Sequence, residues 1–381
     1  ERMAKTVWSA LPDGDKPRVV SFERDRDEAE WIAGELLDLQ RKGYSLEDCA
    51  IFYRANWQSR IFEEALLSKN IPSQLVGSMR FYERREIRDL VAWLRLAVNP
   101  SDGSAFARAM QAPLRGVGEK SIASLVAYAE AHGMPVVQVC SQHAASLVRG
   151  KAKQEALGKI GNLVKNFAES ADPLSKRVAR LAKDSGLMEF HSEEEERIEN
   201  IQEFINSISD WEDHNPQGTA AEYLAEVSLL GQTDETSGGG KGVFLMTVHN
   251  AKGLEFDTVF TTGLEEGIFP HYLSIDDPAR LQEERRLFYV AATRAKKRLF
   301  LCHAASRYSF GREMNNEPSR FLDEFPPNWL TGKRWIRNGA PVPLTGKTGF
   351  PKRNGHDRNT QTGHRPSPRA KRSGIVSTGP V

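Results

Sequence analysis

Two segments in the last third of the chain carry residue types that suit nucleotide chemistry. The first, residues 247–256, follows an apolar run and contains Gly253 and Glu255. Glycine allows the backbone to approach a ligand closely, and a carboxylate accepts hydrogen bonds from sugar hydroxyls. Open α/β sheets bind ligands at the carboxyl ends of their strands, where this segment is predicted to lie. On composition alone, a strand end with a solvated Lys and Glu is the favoured alternative.

The second segment, residues 283–295, is predicted to be a helix with Arg294 near its end. A guanidinium beside a nucleotide stabilises the charge that develops on a transferred phosphoryl group, and such arginine fingers contribute on the order of a thousandfold or more. The same arginine can instead complement the helix dipole, which is worth about 0.3 to 1 kcal/mol. Spacing alone does not choose between these roles.

A glycine turn at residues 115–118 precedes a predicted helix and contains Arg115, Gly116 and Gly118. Amide groups of such a turn can hold a phosphate at the helix N-terminus. Turns of this kind also serve simply to connect helices, so the turn alone is a weak signal.

Short apolar runs alternate with amphipathic helices at both ends of the chain. This alternation predicts an α/β layer with a mostly parallel sheet. Helices are predicted near residues 29–36, 84–98 and 281–295. The predicted strands are residues 18–22, 49–53, 73–76, 243–248, 258–262 and 298–302.

Strand-like runs almost vanish in the middle of the chain, where helical periodicity predicts an inserted all-helical domain. A glycine-rich stretch, residues 234–241, is predicted to be a flexible joint. The predicted organisation is therefore one α/β domain built from both ends of the chain, with a helical domain between them. Its parts are residues 1–98, the helical insert 99–240, residues 241–330, and a tail of residues 331–381.

The net charge of +1 conceals an asymmetry, because residues 331–381 carry +10 and the preceding residues carry −9. The tail is rich in Gly, Pro, Ser, Thr and Asn, which predicts disorder. A solubilising tail and a nonspecific phosphate-binding arm are both open readings. The chain has no apolar run of about 18 residues that would span a membrane. Three scattered cysteines exclude a disulfide framework or a zinc cluster, so a reducing cytoplasm is expected.

Several motifs, read in order, closely resemble the C-terminal half of the UvrD, PcrA and Rep DNA helicase family. The resemblance runs from about residue 7 to residue 326. It implies a RecA-like motor domain, residues 1–98 and 241–330, interrupted by the helical insert. The motifs are residues 52–60, 77–87, 113–118, 247–256 with 265–270, and 284–294.

The resemblance implies a nucleotide site that binds ATP. Glu255 then corresponds to the ribose contact, Arg294 to the arginine finger on the γ-phosphate, and Gly253 to the close backbone approach, while Arg286 supports the interdomain cleft. The chain contains neither a phosphate-binding loop followed by Lys and Ser or Thr nor an acidic Mg²⁺-binding strand end. ATP and Mg²⁺ are therefore expected to be held mainly by an N-terminal motor half, and no metal site is expected here.

The resemblance also implies contacts with single-stranded DNA and with junctions of single and double strands. Phosphate contacts position a strand without reading its sequence. Phe81 or Tyr82 offers a stacking face, although for Phe81 a core position is an equal alternative. The glycine turn of Arg115, Gly116 and Gly118 is expected to meet duplex DNA. The expected single-strand contacts are Arg54, Asn56, Ser59, Arg60, Arg80, Phe81, Thr247 and His249.

The expected function is that of the C-terminal half of an ATP-dependent 3′–5′ DNA helicase in repair or replication. Its expected partners are DNA, the N-terminal half of the same helicase and repair proteins, with no membrane. The alternative is a non-catalytic DNA-binding or interaction module that retains the helicase fold. The presence of both Glu255 and Arg294 disfavours that alternative, because a pure binding module uses neither.

The chain alone should hydrolyse no ATP above background, with or without single-stranded DNA, because its sequence lacks the phosphate-binding loop and the Mg²⁺ ligands. A coupled ATPase assay on the purified chain measures this directly. DNA-stimulated turnover by the chain alone would contradict the prediction.

Overall fold

The computed structural model describes residues 14–113, 116–232, 241–309, 312–326, 328–336 and 340–343. These residues form strands β1 Arg18–Arg24, β2 Cys49–Tyr53, β3 Ser73–Leu75, β4 Val243–Thr247, β5 Phe256–Thr261, β6 Ala295–Ser309, β7 Arg312–Asn315, β8 Thr331–Ile336 and β9 Ala340–Pro343. The helices are α1 Asp25–Arg41, α2 Ser59–Ser68, α3 Arg85–Val98, α4 Gly103–Ala109, α5 Glu119–His132, α6 Val136–Gln142, α7 Ala144–Leu147, α8 Lys151–Glu169, α9 Leu174–Asp184, α10 Leu187–Phe190, α11 Glu195–His214, α12 Ala220–Gln232 and α13 Pro278–Ala292.

The strands form one sheet whose parallel part has the order β3-β4-β2-β5-β6-β1-β8. Strands from the two ends of the chain interleave, since β2 lies between β4 and β5. Their register sets Tyr53 opposite Thr247 and Phe52 opposite Thr261. Two antiparallel strands, β7 and β9, pair with β6 and β8. The predicted α/β domain with a mostly parallel sheet is confirmed.

Helices cover both faces of the sheet. On one face, α1 buries Ala29, Ile32, Leu36 and Leu39, a helical spacing that forms a single apolar stripe. On the other face, α13 buries Phe288 and Ala291 in the apolar cluster that also contains Met246 of β4 and Val259 of β5. Helix α13 begins with Pro278 behind Asp277, whose carboxylate accepts from the amides of Ala279 and Arg280 at 2.9 and 3.2 Å. Such an N-cap fixes where the helix starts and thereby where Arg294 lies.

The described part of the insert is entirely helical, as predicted, but its core begins before residue 99. Helix α3 buries Ile87, Leu90, Trp93 and Leu94 in the same apolar core as the helices of the insert. The indole of Trp93 donates to the Ala112 carbonyl at 3.0 Å. The structure thus assigns α3 to the helical core, because its apolar face is completed by helices that follow it in sequence.

Two strands lie inside the range that composition predicts to be a disordered tail. Strand β8 pairs in parallel with β1, with Thr331 opposite Arg18, and β9 pairs back onto β8. The predicted boundary at residue 331 is therefore too early, because the exposed edge of β1 offers backbone hydrogen bonds that β8 uses. Residues 344–381 and residues 233–240, which contain all of the predicted joint except its last residue, lie outside the described residues. In the described ranges, no helix has the length and apolar composition needed to cross a membrane.

A buried ionic cluster joins α1, the segment after β5 and strand β6. The Arg307 guanidinium donates to Glu28 at 2.5 Å and to Glu265 at 2.6 Å, and all three side chains are at most 4% exposed. Glu265 also accepts from the Ala304 amide at 2.7 Å. Burial raises the pKa of Glu28 to about 7 against the opposing charge of Arg307. For Glu265 burial also acts to raise the pKa, but Arg307 and several hydrogen bonds outweigh it and lower the pKa.

Arg307→Ala should lower the free energy of unfolding by about 3 to 5 kcal/mol, because it leaves two carboxylates buried without their cation. Urea denaturation followed by circular dichroism measures the change. The matched control is Arg285→Ala, which removes an exposed ion pair with Glu324 and should cost at most about 1 kcal/mol. Equal losses in the two variants would show that the cluster does not stabilise the sheet.

Candidate functional site

Arg294 lies beside the segment that contains Gly253 and Glu255. One guanidinium nitrogen of Arg294, Nη1, donates to the Leu254 carbonyl at 3.3 Å. The Arg294 carbonyl in turn accepts from the Phe256 amide at 2.9 Å. These two bonds hold the end of α13 against the residues on either side of Glu255. The structure therefore brings the three predicted nucleotide-binding residues together. They lie at the amino ends of β5 and β6, because the segment that leaves the carboxyl end of β4 crosses to the start of β5, so the predicted position at the carboxyl ends of the strands is wrong for Gly253 and Glu255.

The local chemistry of this group suits an anionic ligand that also has hydroxyl groups. Gly253 has a φ of +87°, which strains other residue types. Glu255 is exposed and has no hydrogen-bond partner among the described residues. Arg294 donates only to carbonyl and hydroxyl oxygens, of Val290, Thr293 and Leu254. No carboxylate within the described residues neutralises the charge of Arg294, so this charge is available to a phosphate.

Arg54 leaves the end of β2 and pairs with helix α13. Its backbone amide donates to the Gln58 side chain at 3.0 Å, which fixes the turn after the strand. Its guanidinium binds Glu284 through Nε at 3.0 Å and Nη2 at 2.6 Å, and the Arg54 side chain stays 20% exposed. His249 follows β4 at the same edge of the sheet. Its partial burial and the charge of Arg54 lower the pKa of His249.

An acidic face of α11, formed by Glu195, Glu196, Glu199, Glu203 and Asp210, contacts the α/β domain. Glu196 accepts from Asn56 at 2.8 Å, and Glu199 lies 3.4 Å from His271. Glu203 and Asp210 accept from Arg60 at 2.7 and 3.4 Å. A hydrogen bond from the Tyr272 hydroxyl to Glu195 completes the contact. Side chains that the sequence assigns to DNA thus meet carboxylates of the insert.

Arg60 is 3% exposed and also pairs with Glu64 at 3.0 Å. Three carboxylates surround this guanidinium, so the predicted contact with a DNA phosphate does not fit the arrangement seen here. The reason is physical: a cation that is closed off from solvent by its own partners has no open side for another anion. The structure instead gives Arg60 the role of joining α2 to α11.

Phe81 and Ser59 are also buried rather than exposed to a strand. Phe81 is fully buried in the helical core, under the guanidinium of Arg84 at 5.1 Å from the ring centroid. A ring enclosed on all sides cannot stack on a base, so the predicted stacking face is corrected to a core position. Ser59 accepts from Arg84 at 2.7 Å, and Arg84 also donates to Asn200 of α11 at 2.7 Å. Arg84 is a joining residue that the sequence reasoning missed.

The remaining predicted DNA contacts lie at three places. Arg80 is partly exposed and donates to the Ser73 carbonyl at 3.3 Å, and Thr247 is 7% exposed at the end of β4. Gly116 is exposed with a φ of +69°, and Gly118 immediately precedes α5. Arg115 lies outside the described residues. The glycine turn therefore belongs to the helical insert, whereas Arg54 follows β2 and Arg80 contacts β3 of the sheet.

Glu284 is a buried residue that the sequence analysis did not identify, although its helical spacing indicates burial. Glu284, Phe288 and Ala291 have the spacing of one helical face, and the structure buries all three. A carboxylate on an apolar face requires a cation or hydrogen-bond donors, because an unpaired buried charge is costly. The spacing therefore predicts a partner for Glu284, although it cannot say that the partner is Arg54.

The amino-acid sequence of the chain is similar to those of known DNA helicases. Residues 1–306 match the model of the UvrD-like helicase C-terminal domain family. The chain is 36% identical over 368 residues to the ATP-dependent DNA helicase PcrA of Staphylococcus aureus, covering 93% of this chain and 50% of that protein. The PcrA of Staphylococcus epidermidis gives the same identity and coverage. The chain thus spans about half the length of these relatives.

Glu203→Gln should flatten the dependence of stability on pH. Burial raises the pKa of Glu203 to about 7, although Arg60 opposes the rise. The unfolded carboxyl titrates near 4.3, so between about pH 4.5 and pH 7 the folded chain retains a proton that the unfolded chain releases, and stability falls as the pH rises. Glutamine is neutral throughout, so the part of the loss that Glu203 contributes should disappear in the variant, while the part from Glu28, whose pKa is also raised to about 7, should remain.

Urea denaturation at a series of pH values from about 5 to about 8 measures the effect. Glu169→Gln, at an exposed position on α8, is the matched control and should keep the wild-type pH dependence. If Glu203→Gln and wild type lose stability in parallel across this range, Glu203 does not carry the proton.

Proposed function

The chain belongs to the UvrD-like helicase C-terminal domain family, and we propose that it supplies the second motor domain and the helical insert of an ATP-dependent DNA helicase. The complete motor moves 3′ to 5′ along single-stranded DNA in repair or replication. An N-terminal motor half holds Mg²⁺ and most of the ATP phosphates. ATP lies in the cleft between that half and the group of Gly253, Glu255 and Arg294.

The observation that carries this proposal is the uncompensated charge of Arg294 beside Glu255. Arg60 and Arg307 are surrounded by carboxylates, whereas Arg294 donates only to neutral oxygens among the described residues. A structural arginine at a helix end does not need an exposed carboxylate between its two backbone partners, Leu254 and Phe256. A bound ATP molecule gives both groups a role, because its ribose hydroxyls donate to Glu255 and its γ-phosphate accepts from Arg294.

Each of the three residues then has a distinct task in ATP hydrolysis. Glu255 accepts hydrogen bonds from the ribose hydroxyls and sets the position of the nucleotide. Gly253 lets the backbone approach it without a side chain. Arg294 stabilises the negative charge on the γ-phosphoryl oxygens as the bond to the leaving group breaks, which lowers the barrier mainly in the transition state. Closure of the cleft delivers Arg294 to this position.

The single strand runs past the carboxyl ends of β2 and β4. Arg54 and Arg80 contact its phosphates, Asn56 and His249 add polar contacts, and Thr247 supports the segment from within the sheet. Because the pKa of His249 is lowered, its ring is neutral at neutral pH and acts as a hydrogen-bonding group rather than a cation. The glycine turn of Arg115, Gly116 and Gly118 contacts the duplex ahead of the junction.

Arg294→Ala, in the helicase that joins this chain to its N-terminal motor half, should lower ATP turnover by on the order of a thousandfold and leave nucleotide-free DNA affinity almost unchanged. Arg54→Ala should do the reverse: it should weaken single-strand binding for every sequence and reduce the slope of log affinity against log salt by roughly 0.7. ATPase rate and strand affinity, measured together across several salt concentrations, separate the two effects.

Arg280→Ala is the control for both variants, since Arg280 is an exposed residue on the first turn of α13 that pairs with Asp277. It should change neither turnover nor affinity. Normal turnover in Arg294→Ala would reject the proposed nucleotide site. An unchanged affinity and salt slope in Arg54→Ala would reject the proposed strand site.

A further inference from the structure

Glu284 is the meeting point of three segments at the edge of the sheet. Its side chain is 4% exposed and accepts from Arg54 at the end of β2. It also accepts from the His271 amide at 3.2 Å and lies 3.5 Å from the Ser274 hydroxyl. A buried carboxylate with this many donors is held in one orientation. It therefore fixes the guanidinium that it binds.

The pairing leaves part of the Arg54 guanidinium free. Nε and Nη2 both bind Glu284, whereas Nη1 has no hydrogen-bond partner among the described residues. A guanidinium is planar and presents its donors in a fixed fork, so two anions can bind it from different sides. Arg54 can therefore hold a strand phosphate through Nη1 while it remains bound to Glu284.

Helix α13 connects this point to Arg294. Glu284 and Arg294 are ten residues apart in the sequence, which corresponds to about 15 Å along a helix. The link is continuous, because α13 runs to Ala292 and the Arg294 amide still donates to the Ala291 carbonyl at 3.3 Å. A packed helix transmits a displacement at one end to the other, because its core contacts are not continuously deformable.

We propose that Glu284 is a positioning residue that holds Arg54 ready for a strand phosphate and, through α13, couples the bound strand to Arg294. This inference rests on the proposed strand and nucleotide sites. Glu284 contacts neither ligand. Its effect is on the communication between them, so strand binding should tighten the end of α13 and ATP should alter strand affinity through the same residue.

The first test uses the chain alone and measures hydrogen exchange of the α13 amides with and without a saturating oligothymidylate. In the wild type, the strand should slow exchange at the C-terminal end of α13 by about threefold or more. Glu284→Gln should lose this protection. Arg54→Lys should also lose it at a saturating strand concentration, because lysine lacks the fork that binds Glu284.

Glu324→Gln is the matched control, since it removes a carboxylate that pairs with Arg285 on the same helix at 2.6 Å. It should retain the wild-type protection. Protection that persists in Glu284→Gln overturns the inference and leaves the strand site standing. A wild-type chain that does not bind the oligonucleotide overturns the proposed strand site, and the inference with it.

The second test uses the helicase that contains both motor halves. In the wild type, a non-hydrolysable ATP analogue should change the affinity for the oligothymidylate, and by linkage the strand should change nucleotide affinity by the same factor. In Glu284→Gln this factor should approach one. A factor equal to that of the wild type would overturn the inference, and the Glu324→Gln control excludes a general effect of removing a carboxylate that pairs with α13.

Discussion

The rest of the structure depends on the pairing of β2 with β4 and β5. These strands lie almost two hundred residues apart in the sequence, yet Ala50 faces Phe244 and Val259 in adjacent parallel ladders. Closing so long a loop costs conformational entropy, although the cost grows only slowly with its length. Apolar residues on both faces of the sheet offset this cost. The register then sets Arg54 and His249 at the carboxyl ends of β2 and β4, and it sets Glu255 and Arg294 at the amino ends of β5 and β6.

The arginines of this fold differ in how many carboxylates neutralise them, and the difference follows whether their proposed role is structural or is to bind a ligand. Arg307 and Arg60 are buried, and each is held by more than one carboxylate, which makes them fixed joints between elements. Arg54 has one carboxylate and an exposed side, and Arg294 has none among the described residues. The series runs from a closed ionic cluster to an open cation. The two open cations lie where strands end, Arg54 at the carboxyl end of β2 and Arg294 at the amino end of β6.

The sequence predicted elements whose periodicity is set locally. Strand β2 was predicted at its observed bounds, and Gly43, with a φ of +86°, ends the region of α1 as expected. Properties that depend on which residues pack against an element could not be predicted from the sequence of that element. Nothing in residues 84–98 says that the partner of α3 is the insert, and nothing in the motif of Arg60 reveals the carboxylates of α11. Backbone position brings Arg294 beside the segment with Glu255, and their role at a nucleotide stays a prediction. Side-chain burial, which the sequence did not reveal, encloses Phe81 and Ser59.

The membership of α3 in the helical core determines how this chain can be divided. A version lacking residues 99–240 would keep α3 and leave Leu90, Trp93 and Leu94 facing water, although all are fully buried in the intact fold. Such a remnant would be prone to aggregation rather than behave as an isolated α/β domain. A clean excision has to begin ahead of Phe81. The boundary between the two domains therefore lies in the short turn before Phe81, and not at the Asn-Pro step that follows α3.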